Sequence, residues 1–265
     1  MSHLPILPVL VPMFAGALLL VLGASMDTKR ALSLLATFLQ IPLAAMLVVE
    51  AGQGIGVYAL GNWMPPFGIV LVVDRLSALL LLVTAILAAA AIIYAVRGDD
   101  AAGRNFHPLF QFQLMGINGA FLTGDLFNLF VFFEVLLISS YALLLHGAGS
   151  ARVRSGLHYL LLNLTGSALF LIAVGTLYGV TGTLNMADMA LRVRELDPAD
   201  APLVGAAGML LLVVFGLKTA VFPLYFWLPR AYAAAGAPVA ALFAIMTKVG
   251  LYSILRVYTL IFGAD

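Results

Sequence analysis

Residues 126–145 read LFNLFVFFEVLLISSYALLL, a run in which the only charged residue is Glu134. A run of this length can cross the hydrocarbon core of a bilayer as one α-helix, which needs about 20 mostly apolar residues. A charge near its centre costs roughly 2.5–3.5 kcal/mol on membrane-insertion scales. The stretch therefore predicts a transmembrane helix whose buried acid has a partner or a function.

The whole chain has the composition of a membrane protein. Of its 265 residues, 63% are hydrophobic and 9% are charged, and the mean hydropathy is +1.11. Soluble domains are about 45–50% apolar and about 25% charged. The absence of cysteine excludes disulfides, thiol catalysis and cysteine-ligated metal sites. There is also no phosphate-binding loop or metal-spaced histidine cluster, so no cofactor or metal is predicted. A net charge of +1 argues against a nucleic-acid partner.

Eight apolar segments predict an all-α membrane protein of about eight transmembrane helices. They are Leu4–Leu22, Ala31–Val49, Leu76–Val96, Pro108–Leu122, Leu126–Leu145, Leu157–Val180, Leu203–Trp227 and Val239–Phe262. No Lys or Arg precedes the first segment, so we expect a retained helix rather than a cleaved signal peptide.

Two regions contain prolines or glycines that predict a departure from a regular helix. Pro223 lies inside the seventh segment and removes a backbone donor, which predicts either a broken helix or a simple proline kink. The Gly-rich stretch 51–68, with its Pro65-Pro66 pair, predicts an ordered loop at the membrane interface.

The basic residues predict the orientation in the membrane. The first, third, fifth and seventh loops hold seven of them, and the opposite side holds three. The seven are Lys29, Arg30, Arg97, Arg104, Arg152, Arg154 and Arg230, and the three are Arg75, Arg192 and Arg194. Since cytoplasmic loops carry the excess of Lys and Arg, the odd-numbered loops are predicted to be cytoplasmic and the N-terminus to lie outside the cell membrane.

Three ionisable residues fall deep within the predicted spans: Glu134, Lys218 and Lys248. One interpretation is a static ion pair that orients helices. However, two lysines for one glutamate leave one lysine without an acidic partner. A buried lysine can lose its proton, whereas an arginine cannot, and a proton relay needs this property.

The eighth segment indicates a polar stripe. Lys248, Tyr252 and Arg256 are spaced four residues apart and share one helix face, which makes Tyr252 a candidate relay residue. Arg256 alternatively extends to the outer interface. In segment six, His158 is a weaker relay candidate that alternatively sits at the cytoplasmic interface, and Asn163 needs no function.

Two stretches resemble a known family. They are TGDLFNLFVFFEVLLISSY at 123–141, and 216–256 with GLKTAVFP at 216–223 and KVGLYSILR at 248–256. Together they resemble the antiporter-like subunits shared by respiratory complex I, membrane-bound hydrogenases and the multisubunit Mrp cation/proton antiporters. The first stretch looks most similar to the D-type subunit of the Mrp antiporters.

The resemblance implies a fold of about fourteen transmembrane helices with two inverted repeats, each containing a broken helix. Residues 1–106 then correspond to helices one to three with the interfacial loop. Residues 107–265 correspond to helices four to eight, the first repeat, with the broken helix seven. The chain is accordingly expected to be the N-terminal part of a longer subunit.

The resemblance also implies roles. Glu134 matches the essential glutamate of helix five, Lys218 the lysine at the break of helix seven, and Lys248 the lysine of helix eight, all in proton transfer. The implied protein is a secondary transporter rather than an enzyme, a subunit of a monovalent cation (Na⁺ or K⁺)/proton antiporter. Its implied partners are the other antiporter subunits, protons, monovalent cations and the lipid bilayer.

Two alternatives stay open. One is a proton-pumping subunit of NADH-quinone oxidoreductase (complex I) or of a membrane-bound hydrogenase. The other is a membrane scaffold whose buried charges only hold helices together.

The predicted orientation can be tested by labelling. A cysteine at Arg152 should react only with a reagent that reaches the cytoplasm, and a cysteine at Asp197 only with one that reaches the outside. The reason is the seven-to-three asymmetry of basic residues. Labelling of Asp197→Cys from the cytoplasm would overturn the orientation.

Overall fold

The computed structural model describes residues 3–21, 23 and 25–263. The helices are α1 Leu7–Val21, α2 Met26–Gln53, α3 Arg75–Ala95, α4 Phe106–Leu122, α5 Leu126–Leu144, α6 Ser150–Thr181, α7 Met186–Arg194, α8 Ala201–Thr219, α9 Leu228–Ala234 and α10 Ala237–Leu260. Two short strands, β1 Gly56–Ala59 and β2 Val70–Val73, pair antiparallel with Gly56 opposite Val73.

The predicted membrane architecture is confirmed. In the part of the chain that is described, seven helices are long and apolar enough to cross a membrane: α1 with its preceding turn, α2, α3, α5, α6, α8 and α10. The helix α4 has 17 residues and buries 14 of them, so it crosses in the interior of the bundle. The predicted end of the first segment, Leu22, lies outside the described residues.

Three connections between the predicted segments contain regular structure. Residues 25–30 are mostly helix, because Ser25 caps α2 by accepting a hydrogen bond from the Thr28 N–H at 3.3 Å. The connector 181–202 contains α7, whose first N–H groups donate to the Asn185 side chain. The Gly-rich stretch 51–68 is ordered as expected, but it also supplies β1.

The seventh segment is a broken helix, yet the break starts before Pro223. The helix α8 ends at Thr219 because Ala220 adopts a left-handed conformation (φ 60°). The Ala220 N–H donates to the Leu217 carbonyl and the Val221 N–H to the Gly216 carbonyl, both in the last turn of α8. The Trp227 indole N–H donates to the Leu217 carbonyl at 2.8 Å, so side-chain and backbone donors satisfy the end of the helix. Pro223 therefore lies within the break rather than causing it alone.

The loops divide between two ends of the bundle as predicted. At one end Arg30 pairs with Asp100, and Arg152 donates to the Ala234 carbonyl at 3.1 Å, so α2, the 99–102 turn, α6 and α9 meet there. At the other end Leu71 of β2 pairs with Thr123, beside the 182–185 turn. This alternation is the one that the basic-residue count assumes.

A buried acid anchors the first end. The Asp100 carboxylate accepts hydrogen bonds from Arg30 at 2.6 and 2.9 Å, and the His107 ring lies 3.0 Å away. Burial by itself raises the pKa of Asp100, but the hydrogen bonds with Arg30 and His107 and their charges outweigh it and hold the pKa below its ordinary value. Asp100 thus ties the start of α2 to the start of α4.

Two glycines bring α5 onto the central helix α4. A Cβ added at Gly116 would lie 2.7 Å from the Leu136 backbone nitrogen, and one at Gly119 would overlap the Phe132 ring. Small residues at such positions let membrane helices approach closely, which substitutes for the missing hydrophobic drive between helices in lipid. The close approach brings α5, and with it Glu134, against the core of the bundle.

A polar seam between α2 and α4 was not predicted. The Gln111 amide donates to the Thr37 hydroxyl at 2.9 Å, and the Asn118 amide donates to the Pro8 carbonyl of α1 at 2.8 Å. The Pro8 carbonyl is free to accept because Pro12, four residues on, has no N–H. Asn118 therefore replaces a helix hydrogen bond that α1 cannot make.

This replacement predicts a compensating pair. Asn118→Ala should lower the free energy of unfolding in detergent by about 1–3 kcal/mol, because the buried Pro8 carbonyl loses its donor. Adding Pro12→Ala restores a backbone N–H and should recover part of the loss, measured by thermal unfolding of the single and double variants. Strictly additive effects would contradict the assignment.

Candidate functional site

A hydroxyl bridges the half-buried acid Glu134 and the buried lysine Lys218. Lys218 is 3% exposed, and its ammonium donates to the Ser167 hydroxyl at 3.0 Å and to the Asn163 carbonyl at 3.3 Å. The Ser167 hydroxyl in turn donates to the Glu134 carboxylate. Within the described residues Glu134 and Lys218 form no direct ion pair, so α5, α6 and α8 meet through a carboxylate–hydroxyl–ammonium chain.

The position of Lys218 follows from the broken helix. It is the penultimate residue of α8, where the partial negative charge of a helix C-terminus favours a cation. Gly166 allows α6 to approach, because a Cβ there would lie 2.8 Å from a methyl group of Leu217. A larger residue at 166 would require the Leu217 side chain to shift.

The Lys218 end of this hydrogen-bond chain lies in an apolar cage of phenylalanine rings. The rings of Phe133, Phe170 and Phe215 contact one another with centroids 5.2–6.3 Å apart. The Lys218 nitrogen lies 5.7 Å from the Phe133 centroid, within the range of a cation–π contact. In such low-dielectric surroundings an unbalanced charge is expensive, so the Lys218 ammonium needs the polar partners that α5 and α6 supply.

Sequence reasoning missed Ser167 and undervalued Asn163. Both are buried on α6 and lie four residues apart, a spacing that puts them on one helix face. This spacing, in an otherwise apolar segment, is the signal that would have found the pair. The Asn163 side-chain oxygen is buried without a hydrogen-bond partner among the described residues, so one polar atom beside Lys218 is left unsatisfied.

Lys248 takes no part in the Glu134–Ser167–Lys218 hydrogen-bond chain. It is exposed on α10, and among the described residues its ammonium has only the neighbouring Thr247 hydroxyl, at 3.3 Å, as a hydrogen-bond partner. Leu251 and Leu255 on the same face are also exposed, at 46% and 45%. The backbones of α10 and α8 are nevertheless close, because a Cβ added at Gly250 would lie 2.7 Å from the Thr219 backbone nitrogen.

The predicted polar stripe on α10 is divided. Tyr252 is buried, donates its hydroxyl to the Phe121 carbonyl at 2.8 Å and accepts from Arg256 at 2.7 Å. Successive members of an i, i+4 stripe are rotated by about 40°, so the stripe passes from the exposed to the buried side of the helix. Tyr252 therefore forms a hydrogen bond with Arg256 rather than with Lys248.

Arg256 is fixed rather than free. It forms an ion pair of 2.5 Å with Asp74, which caps α3 together with Ser77. Burial by itself raises the pKa of Asp74, but the Ser77 N–H and the Arg256 charge outweigh it, so the pKa lies below its ordinary value.

The structure does not bring His158 into the site. Its ring is partly buried on α6, and it makes no hydrogen bond within the described part of the chain.

Comparisons with known proteins identify the family of this chain. The family described as "NADH:quinone oxidoreductase/Mrp antiporter, TM" matches residues 123–265, the region that holds Glu134, Ser167, Lys218 and Lys248. The chain belongs to this family. The resemblance noted at 123–141 and 216–256 is thereby confirmed.

Individual members are similar over nearly the whole chain. The D-type subunit of a probable K⁺/H⁺ antiporter from Rhizobium meliloti is 51% identical, with 99% of this chain and 50% of the relative covered. The D-type subunit of a Na⁺/H⁺ antiporter from Bacillus subtilis is 45% identical, with 100% and 54% covered. In the structure of the Mrp complex from Dietzia sp. DQ12-45-1b, one chain is 35% identical with a TM-score of 0.87, and 99% and 50% are covered.

These relatives bear on two predictions. Both curated relatives are named as antiporter subunits, which are secondary transporters rather than enzymes, as expected. The chain spans about half the length of each of them.

The hydroxyl bridge predicts that Ser167 couples the two charges. Ser167→Ala should destabilise the protein by about 1–3 kcal/mol, because the buried Lys218 ammonium and the half-buried Glu134 carboxylate lose a shared partner. Thr165→Ala, which removes a hydroxyl bonded only to the Leu161 carbonyl of its own helix, is the matched control and should have a smaller effect. The measurement is thermal unfolding in detergent.

The effect of Ser167→Ala should also be non-additive with Glu134→Gln, by at least about 0.5 kcal/mol. Independent effects in this double-mutant cycle would show that the hydroxyl does not link the acid and the lysine.

Proposed function

We propose that this chain is a membrane subunit of a multisubunit monovalent cation/proton antiporter in the bacterial plasma membrane, and that it moves protons through Glu134 and Lys218. The observation that carries the proposal is the Ser167 bridge between these two charges at the helix break. The names of the most similar relatives support the antiporter class. The proposed orientation has the N-terminus outside, and the other antiporter subunits are the proposed partners.

The proton step follows from the hydrogen bonds. The Lys218 ammonium passes a proton to the Ser167 oxygen while the Ser167 hydroxyl passes its own proton to the Glu134 carboxylate. The result is a neutral amine and a neutral carboxylic acid, and the serine is unchanged. No net charge is left in the apolar cage at either end of the step, which removes the main electrostatic obstacle to moving a proton there.

The exposed Lys248 needs a covering partner in this proposal. An ammonium on the outside of a transmembrane helix is costly in lipid, so a further segment or subunit is expected to lie against α10 and continue the polar path. Tyr252 and His158 have no part in the proton step, because neither contacts Glu134, Ser167 or Lys218 within the described residues.

The cation is proposed to be Na⁺ or K⁺, because one relative is named for each. We assign proton movement to this chain, on the Glu134–Ser167–Lys218 hydrogen bonds, and cation movement to another component of the antiporter. The complex I and hydrogenase alternative shares the proton step and differs in the partners.

The test is cation-driven proton exchange in everted vesicles that contain the complete antiporter, followed with a pH-sensitive dye. Glu134→Gln should reduce the signal to the background of vesicles without the antiporter, because the acid can no longer accept a proton. Lys218→Arg should assemble normally yet fail to transport, because arginine keeps its proton. Lys29→Gln, which removes a cation at the end of the bundle, is the control and should transport normally.

Two results would contradict the proposal. Normal exchange in Glu134→Gln would remove the acid from the proton path. Normal exchange in Lys218→Arg would show that the site needs only a positive charge, as the scaffold interpretation holds.

A further inference from the structure

Two arginines flank one cavity at the basic end of the bundle. Arg154, in the second turn of α6, and Arg230, in α9, line a cavity of about 340 Å³ together with Ser155. Both arginines are exposed. Neither guanidinium makes a hydrogen bond or an ion pair with any residue that the structure describes.

Other arginines at the same end are engaged. Arg30 pairs with Asp100, and Arg152 donates to the His146 and Ala234 carbonyls. This end carries seven Lys and Arg against three acids, Asp27, Asp99 and Asp100. No acidic side chain of the described residues lines the cavity, and the excess of basic residues at this end attracts anions.

The place of the cavity in the fold favours a lipid headgroup. It is lined by the second turn of α6, a helix long and apolar enough to cross a membrane, and by α9. Basic pockets near the ends of transmembrane helices bind anionic headgroups. A planar guanidinium fork fits a phosphate group in a bidentate manner, and two such forks on one cavity can hold one phosphate from two sides.

An exposed aromatic patch precedes Arg230 in the sequence. Phe222, Tyr225 and Phe226 are 80%, 40% and 60% exposed and stack in sequence with centroids 6.1 and 5.5 Å apart. They end four residues before Arg230. Apolar rings of this kind accommodate acyl chains, which a soluble anion does not have.

We propose that Arg154 and Arg230 bind the phosphate of an anionic phospholipid, whose acyl chains lie along Phe222–Phe226. The lipid would bridge α6, which supplies Ser167 and Asn163, to α9, which continues the broken helix after Lys218. The proposal does not depend on proton transfer, since it concerns only the arginines and the cavity.

The experiment uses the purified chain in detergent with three probes: dioleoyl-phosphatidylglycerol, dioleoyl-phosphatidylcholine and inorganic phosphate. Native mass spectrometry measures bound lipid, and thermal unfolding measures stabilisation. Wild type should prefer phosphatidylglycerol to phosphatidylcholine, which has the same chains and phosphate but no net charge. Arg154→Gln with Arg230→Gln should weaken that binding by about fivefold for each arginine removed.

A charge-matched control separates the cavity from general attraction. Arg97→Gln with Arg104→Gln removes two exposed arginines at the same end that do not line the cavity, and it should keep the affinity. If the glutamine variant does not fold, Arg154→Lys with Arg230→Lys keeps the charges but not the guanidinium forks, and it should still bind more weakly than wild type.

Four results would overturn the proposal. Equal loss in both glutamine pairs would reduce the binding to surface charge. Wild-type affinity in the lysine pair would exclude the guanidinium assignment. Equal stabilisation by inorganic phosphate would assign the cavity to a soluble anion. No preference for phosphatidylglycerol in wild type would leave the arginines to an acidic protein partner.

Discussion

A lysine buried among phenylalanine rings in a lipid-embedded bundle must have its charge balanced or must give up its proton. Lys218 is in this position, and the surrounding structure is built around it. The break after Thr219 places the lysine at a helix C-terminus, α6 supplies the Ser167 hydroxyl and the Asn163 carbonyl, and α5 supplies Glu134. Because the Ser167 hydroxyl lies between the carboxylate and the ammonium, the two charges are linked without direct contact.

The rest of the fold holds these groups at a fixed separation. The central helix α4 is almost wholly buried, and its glycines draw in α5, while Gly166 and Gly250 let α6 and α10 approach the break. Ion pairs at the two ends, Arg30–Asp100 and Arg256–Asp74, tie the helices together there. The middle of the bundle therefore has few ways to relax, and a change in the charge of Lys218 acts mainly on its hydrogen-bond partners.

The sequence predicts the parts of this structure that depend on long-range averages. Apolar runs give the spans, basic residues give the division of the loops, and the cost of a mid-membrane charge singles out Glu134 and Lys218. It does not predict contacts that depend on side-chain direction. The contact of Ser167 with Lys218 follows only from the packing of α8 against α6. Asn118 has a hydrogen-bond partner on α1 only because Pro12 leaves the Pro8 carbonyl without a helix donor. The i, i+4 stripe on α10 fails for the same reason, since a rotation of about 40° per step exposes one member and buries the next.

The central claim is that the Glu134–Ser167–Lys218 chain exchanges a proton rather than forming a permanent ion pair. Nuclear magnetic resonance tests it most directly, with ¹⁵N-labelled lysine and ¹³C-labelled glutamate side chains in the membrane-embedded chain, assigned with Lys218→Arg and Glu134→Gln. If the proton is shared along the chain, a fraction of Lys218 should be present as neutral amine at a fixed pH, an equal fraction of Glu134 should be present as carboxylic acid, and Ser167→Ala should abolish this equality. A Lys218 signal that stays ammonium and a Glu134 signal that stays carboxylate over the whole range in which the protein is folded would contradict it.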